Sequence, residues 1–254
     1  SLVRRWKRIN ATGSLVVGLM VTTVLSSIGL FFLSTLFLND VSLFFAGLLG
    51  IAAVLVCVLS TLYYTGLERG PVHHIAESSQ AGPAINLITG ISTGLATPLF
   101  PMIAVLAAVV LSFTVTGQSL YGLVITNIGT DFAIAFIMAS DTFGPITDNA
   151  AGIAEMSGVS GQASETLNSL DAVGNTMKAA TKGYAMASGT VTSFLIFATY
   201  FATAKISVIS LGTPYPIAAL FLGVVLPLPL ASLTIRATSD GAFKMVDEVR
   251  RQFK

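Results

Sequence analysis

Apolar runs long enough to cross a lipid bilayer dominate this chain and leave it few folds to choose from. Six such runs give expected helices over about 10–38, 43–66, 84–116, 120–157, 164–206 and 213–237. A hydrocarbon core of about 30 Å takes about 20 helical residues to cross. No water reaches the backbone there, so only helices or closed barrels satisfy its polar groups. Charged residues make up 10% of the 254 and hydrophobic ones 54%, whereas soluble domains carry about 25% charged residues. The expected fold is all-α: a polytopic transmembrane bundle of six long helices, read as a single domain over 1–254.

The connections orient it. The basic stretch SLVRRWKRIN at 1–10, with Trp6 among its charges, reads as an interfacial anchor. Six spans put this flank, the 65–83 connection, the 141–182 turn and the tail from Arg236 on one side. Every Lys and Arg except Lys205 falls there, and the positive-inside rule makes that side cytosolic. The tail, with KMVDEVRRQFK, reads as a basic amphipathic helix. Pro98 and Pro101 should kink the third span. Gly90 and Gly94 form a small-residue pair that allows close helix contact, a weakly specific signal. Cys57 is the one cysteine, so no disulfide forms within the chain. The net charge of +1 points to no nucleic-acid partner.

The polar stretch 141–182 joins the fourth and fifth helices. Forty helical residues would run about 60 Å, roughly twice the hydrocarbon thickness, so the polar halves should stand clear of the bilayer. Asp171, Asn175, Lys178 and Lys182 are spaced i, i+4, i+7, i+11 and share one stripe of the fifth helix. Asp141 and Asp148, seven apart, share a face of the fourth. Facing stripes of this kind suit a metal-bound anion: carboxylate and amide oxygens hold a hard cation such as Mg2+, and lysines hold phosphate oxygens. Helix capping and interfacial charge are the competing reading.

Other motifs are absent or weak. There is no GxxxxGK[ST] loop, no HExxH and no convincing Rossmann turn. The adjacent His73 and His74 diverge on a helix, so a short amphipathic helix is a better reading there than a metal site. Asp131 is an acid within an apolar run, by default an ion-path or buried-pair residue. Asp141 could lie on the same route. Ten residues of helix separate them by about 280° of rotation, so they do not share a stripe.

Two runs carry a family resemblance. DTFGPITDNAAGIAEMSG at 141–158 and LDAVGNTMKAATKGYAMASG at 170–189 closely resemble membrane-bound proton-pumping pyrophosphatases. YYT at 63–65, PVHHIAESSQAGPA at 71–84 and KMVDEVRRQF at 244–253 add to the match, in the family's order. The resemblance implies Mg2+-dependent hydrolysis of inorganic pyrophosphate at a cytosolic site, coupled to ion transport out of the cytosol. It implies a homodimer with about sixteen helices per subunit, in a plasma, inner or vacuolar-type membrane. It covers only the middle of such a protein, so the remainder of the polypeptide is an expected partner, as is the lipid bilayer.

By resemblance, Asp148 and Asn175 are metal ligands, and Lys182 and Lys178 contact the substrate. Lys178 with Thr181 resembles the potassium-independent pattern, in which a tethered ammonium replaces a diffusible cation. That pattern is associated with protons rather than sodium. Asp141, Asp131 and Asp171 remain candidates for an ion path or for supporting the ligands. Ala151 stands where the family usually has glycine and Met177 where it usually has threonine. The turn at 159–169 lacks the family's frequent basic and Thr-Asp residues.

A ligand count points to an incomplete site. Several magnesium ions around pyrophosphate need more oxygen donors than Asp148, Asn175 and one or two further aspartates supply. The chain is therefore expected to be a piece of a larger pump. The reading set against this is a non-catalytic scaffold, a secondary transporter or an inactive paralogue.

Overall fold

A computed structural model describes residues 11–253 apart from Glu68. The basic 1–10 anchor lies outside the described residues. All regular structure among the described residues is helical, and six stretches are long and apolar enough to cross a membrane. The chain divides into two units at Tyr200/Phe201, where a single domain was expected.

In the first unit, α1 (Ala11–Phe32) ends in a π-helical turn at Leu33–Phe37. Asn39 takes a left-handed φ of 49°, and Asp40 caps α2 (Val41–Thr65) by accepting from Ser42 N at 2.8 Å. That cap satisfies an amide that the first helical turn leaves without a partner. The 65–83 connection carries the short helix α3 (Gly70–Ser78) and a 3-10 turn. Both histidines are exposed on α3.

The third span is α4 (Pro83–Ala96) and α5 (Leu99–Val115), interrupted at Thr97–Pro98. Proline has no N–H to donate and its ring crowds the carbonyl four residues back. Pro101 sits in the first turn of α5, where a missing N–H costs nothing. The fourth span departs from the single helix expected over 120–157. It consists of α6 (Leu120–Asp131) and α7 (Ile134–Met156), separated at Phe132–Ala133. No proline or glycine marks that break. Pro145, by contrast, lies inside α7 without ending it. The fifth span is one helix of 42 residues, α8 (Gln162–Thr203), about 63 Å long.

α2 is the hub, packing on α1, α5 and α6. A Cβ on Gly50 would strike the Thr126 carbonyl of α6, and one on Gly129 would strike the Gly47 carbonyl of α2. Thr126 Oγ1 also donates to Ala46 O at 3.1 Å. Lower on α2, Thr61 blocks any Cβ at Gly183 of α8, and fully buried Cys57 turns its thiol toward Pro101 O of α5 at 3.9 Å. The buried stripe of α8 is Val173, Met177, Ala180, Tyr184, Ala187 and Val191. Its alternating steps of four and three residues form a helix-packing seam. A Cβ on Gly90 or Gly94, the expected contact pair, would meet nothing within 4 Å among the described residues. Small residues permit close approach but do not say which helix will use it.

In the second unit, α9 (Pro214–Val225) passes into α10 (Pro227–Gln252) at Leu226, with Pro227 opening the new helix. The second half of the apolar sixth span thus runs on into the polar tail within α10. Glu248 accepts two hydrogen bonds from Arg251 there.

Gly50→Val should open the α2–α6 contact at a cost of about 1–3 kcal/mol, as overpacking does elsewhere. Thermal unfolding in detergent should show a clear drop for Gly50→Val and none for Gly29→Ala, whose added methyl meets nothing within 4 Å. Equal behaviour of the two variants would contradict the packing described.

Candidate functional site

The hairpin of α7 and α8 builds the site. α7 closes on Gly158, at φ 69°, with Val159 N donating to Ala154 O and Gly158 N to Glu155 O. This pair of bonds satisfies carbonyls that the helix end leaves open, and the conformation favours glycine. After a second left-handed glycine, Gly161, the chain returns as α8.

The two helices nearly touch where their glycines meet. A Cβ on Gly174 would lie 2.9 Å from Gly144 Cα, and one on Gly144 would lie 2.5 Å from Lys178 Cε. The Lys178 stem therefore lies across the Gly144 surface. Its ammonium reaches Asp148 Oδ2 at 3.5 Å and donates to Asn175 Oδ1 at 3.1 Å. Asn175 Nδ2 donates in turn to both Asp171 oxygens at 3.3 Å. Thr147 is buried, with its hydroxyl donating back to Gly144 O at 2.9 Å.

Four of the expected site residues are thus one connected cluster: Asp148, Lys178, Asn175 and Asp171. It lies at a surface, with the side chains of Lys178 and Asp148 30% and 62% exposed. An arrangement of two carboxylates, an amide oxygen and an ammonium can take up a cation and an anion together. Lys182 is exposed one turn farther along α8 and makes no ion pair with a described residue. Asp141 is half-buried and joins none of these bonds. Thr181 is buried and donates to Met177 O at 3.0 Å, so its hydroxyl is turned to its own helix rather than to Lys178.

Asp131 stands apart from the cluster, about 25 Å up the same span from Asp148 at 1.5 Å per residue. Its Oδ1 accepts from Ser188 Oγ at 2.8 Å and from Tyr184 Oη at 3.0 Å. One turn away, Asn127 Oδ1 accepts from Thr192 Oγ1 at 2.8 Å. The sequence reading did not pick out Tyr184, Ser188 or Thr192. Their spacing by four within an apolar run was the available signal.

No group of three or more His, Cys, Asp and Glu side chains poised to hold a metal occurs among the described residues. The donor set is nonetheless of the right kind for Mg2+. Asp148, Asn175 and Asp171 offer only oxygens on an open face, and Mg2+ commonly takes one or two carboxylates and completes its shell with water and phosphate oxygens.

Comparison with known proteins places the chain. The family model for inorganic H+ pyrophosphatase matches residues 3–254. A K(+)-insensitive pyrophosphate-energized proton pump of Methanosarcina mazei is 37% identical over 243 residues, covering 92% of this chain and 36% of the relative. A protein of Moorella thermoacetica, K(+)-insensitive pyrophosphate-energized proton pump 2, is 36% identical over 93% of this chain and 37% of its own length. One of Caldanaerobacter subterraneus subsp. tengcongensis, also described as a K(+)-insensitive pyrophosphate-energized proton pump, is 36% identical with the same coverage. The chain spans little more than a third of the length of these curated relatives. From the signature runs on α7 and α8 to the match along nearly its whole length, the chain belongs to the inorganic H+ pyrophosphatase family.

Proposed function

We propose that this chain is the middle segment of a pump that couples Mg2+-dependent hydrolysis of inorganic pyrophosphate to proton movement out of the cytosol. The observation that carries the reading is the Lys178 ammonium, held between Asp148 of α7 and Asn175 of α8 in a member of this family. Pyrophosphate is a compact polyanion, and its recognition needs fixed positive charge beside oxygen ligands for a hard cation. The cluster has both.

Asp148 and Asn175, backed by Asp171, would hold Mg2+ against the phosphate oxygens. Bound there, the ion would neutralise phosphate charge and favour departure of the leaving phosphate. Lys178 and Lys182 would supply further positive charge for the oxygens of that phosphate. An ammonium fixed in place needs no reorganisation as charge develops. The remaining metal ligands and the group that orients the attacking water belong to the rest of the polypeptide. In this reading the six spans are part of a bundle of about sixteen, the pump is a homodimer, and the site faces the cytosol of a plasma, inner or vacuolar-type membrane.

The potassium response follows from Lys178, and three curated relatives of the chain carry the words K(+)-insensitive. In the full-length protein carrying this chain, hydrolysis with Mg2+ should be indifferent to potassium. Lys178→Ala should lose about tenfold in activity, or about 1.4 kcal/mol, and added potassium should restore most of it. A variant that stays dead in potassium would show that the ammonium does more than stand in for a monovalent cation.

Asp148→Asn should raise the Mg2+ concentration needed for half-maximal hydrolysis by about tenfold or more, at least the loss seen when groups behind a metal ligand are removed. Its thermal stability should hardly change, since exposed ion pairs contribute about 1 kcal/mol or less. An unchanged Mg2+ requirement would remove Asp148 from the ligand set.

A further inference from the structure

Two polar ladders face each other inside the apolar part of the first unit. On α6, Asn127 and Asp131 are one turn apart. On α8, Tyr184, Ser188 and Thr192 are spaced by four and so share a face. The ladders meet in register: Thr192 on Asn127, and both Ser188 and Tyr184 on Asp131. A purely structural bridge between apolar helices needs only amides and hydroxyls, as the Asn127–Thr192 rung shows. An ionisable carboxyl is a costly choice at such a depth.

The hydrogen bonds to Asp131 are one-sided. Both hydroxyls donate to Oδ1, and Oδ2 has no partner among the described residues. No Lys, Arg or His among the described residues forms an ion pair with the carboxylate. A second observation concerns the backbone. α6 ends at Asp131, and the helix resumes only at Ile134. Interrupted helices at membrane depth recur where ions are bound, and the C-terminal end of a half-helix presents carbonyl dipoles that favour a positive charge nearby. A carboxyl held at that end by two hydroxyls is suited to carrying a positive charge.

We propose that Asp131 is a proton-carrying carboxyl of the membrane pathway, with Oδ2 as the oxygen that is loaded and Tyr184 and Ser188 as the groups that position it. This rests on the pump reading above. In the loaded state Oδ2 carries the proton while Oδ1 accepts from the two hydroxyls. The proton comes from water on the cytosolic side and leaves for water on the other. After release, the negative charge rests on a carboxylate still held by Tyr184 and Ser188. Nothing is oxidised or reduced.

The test uses the full-length protein in sealed vesicles, with pyrophosphate hydrolysis and proton uptake measured on the same preparation. Asp131→Asn should keep hydrolysis within about twofold, since the residue is about 25 Å from Asp148 by helix rise. Its proton uptake per pyrophosphate should fall at least fivefold. Asp131→Glu should regain most of that ratio, and Tyr184→Phe should lower it without slowing hydrolysis. An unchanged uptake ratio in Asp131→Asn would overturn the proposal. So would a selective loss of sodium uptake, which would make the residue a sodium ligand instead. A membrane-permeant carbodiimide, which adds to protonated carboxyls in apolar surroundings, supplies a readout independent of turnover. Peptide mass analysis should find its adduct on Asp131 of the unmodified protein. A modified Asp131 in a protein that neither hydrolyses nor pumps would sink the pump reading and leave the protonated carboxyl standing. Absence of the adduct would overturn the proposal even if Asp131→Asn fails to assemble.

Discussion

Backbone-to-backbone approach at glycine holds the described bundle together. In a membrane, apolar side chains gain little by leaving lipid for one another, so helices associate through close van der Waals contact and interhelical hydrogen bonds. The α2–α6 crossing uses Gly47, Gly50 and Gly129, with the Thr126 hydroxyl bonded across to Ala46 O. The α7–α8 crossing uses Gly144 and Gly174. Each is a place where a single methyl group would have no room.

The second of these crossings also makes the site. With any side chain at Gly144, the Lys178 stem could not lie flat across α7, and its ammonium would not sit between Asp148 and Asn175. Packing and chemistry are therefore not separable here. The same contact that joins the helices sets the distance between a carboxylate on one and an amide on the other.

α8 carries two sets of polar groups on one unbroken rod. Asp171, Asn175 and Lys178 stand in its polar N-terminal half, and Tyr184, Ser188 and Thr192 follow within the apolar part. The partner span is different: it is broken at Phe132–Ala133, between the segment that bears Asp131 and the segment that bears Asp148. A rigid helix beside an interrupted one offers a way for displacement at the Asp148–Lys178–Asn175 cluster to be felt at the Asp131 carboxyl, because packed helices shift as units while a break absorbs the difference.

The sequence by itself determined the membrane character, the number of apolar spans, the turn at 141–182 and the stripe Asp171–Asn175–Lys178. These follow from hydropathy, chain length and a fixed helical period, which are local properties. It also placed Asp148 on one face of the fourth helix with Asp141. Only the tertiary structure decided that Lys178 bridges to Asp148, that Thr181 turns to its own backbone, and that Asp131 is held by Tyr184 and Ser188. It also placed close contact at Gly47, Gly50, Gly129, Gly144 and Gly174, and broke the fourth span at Phe132. Those outcomes depend on which helix lies beside which and at what rotation. A periodic pattern shows which residues share a face, but the neighbour that the face meets is chosen by the packing of the whole bundle.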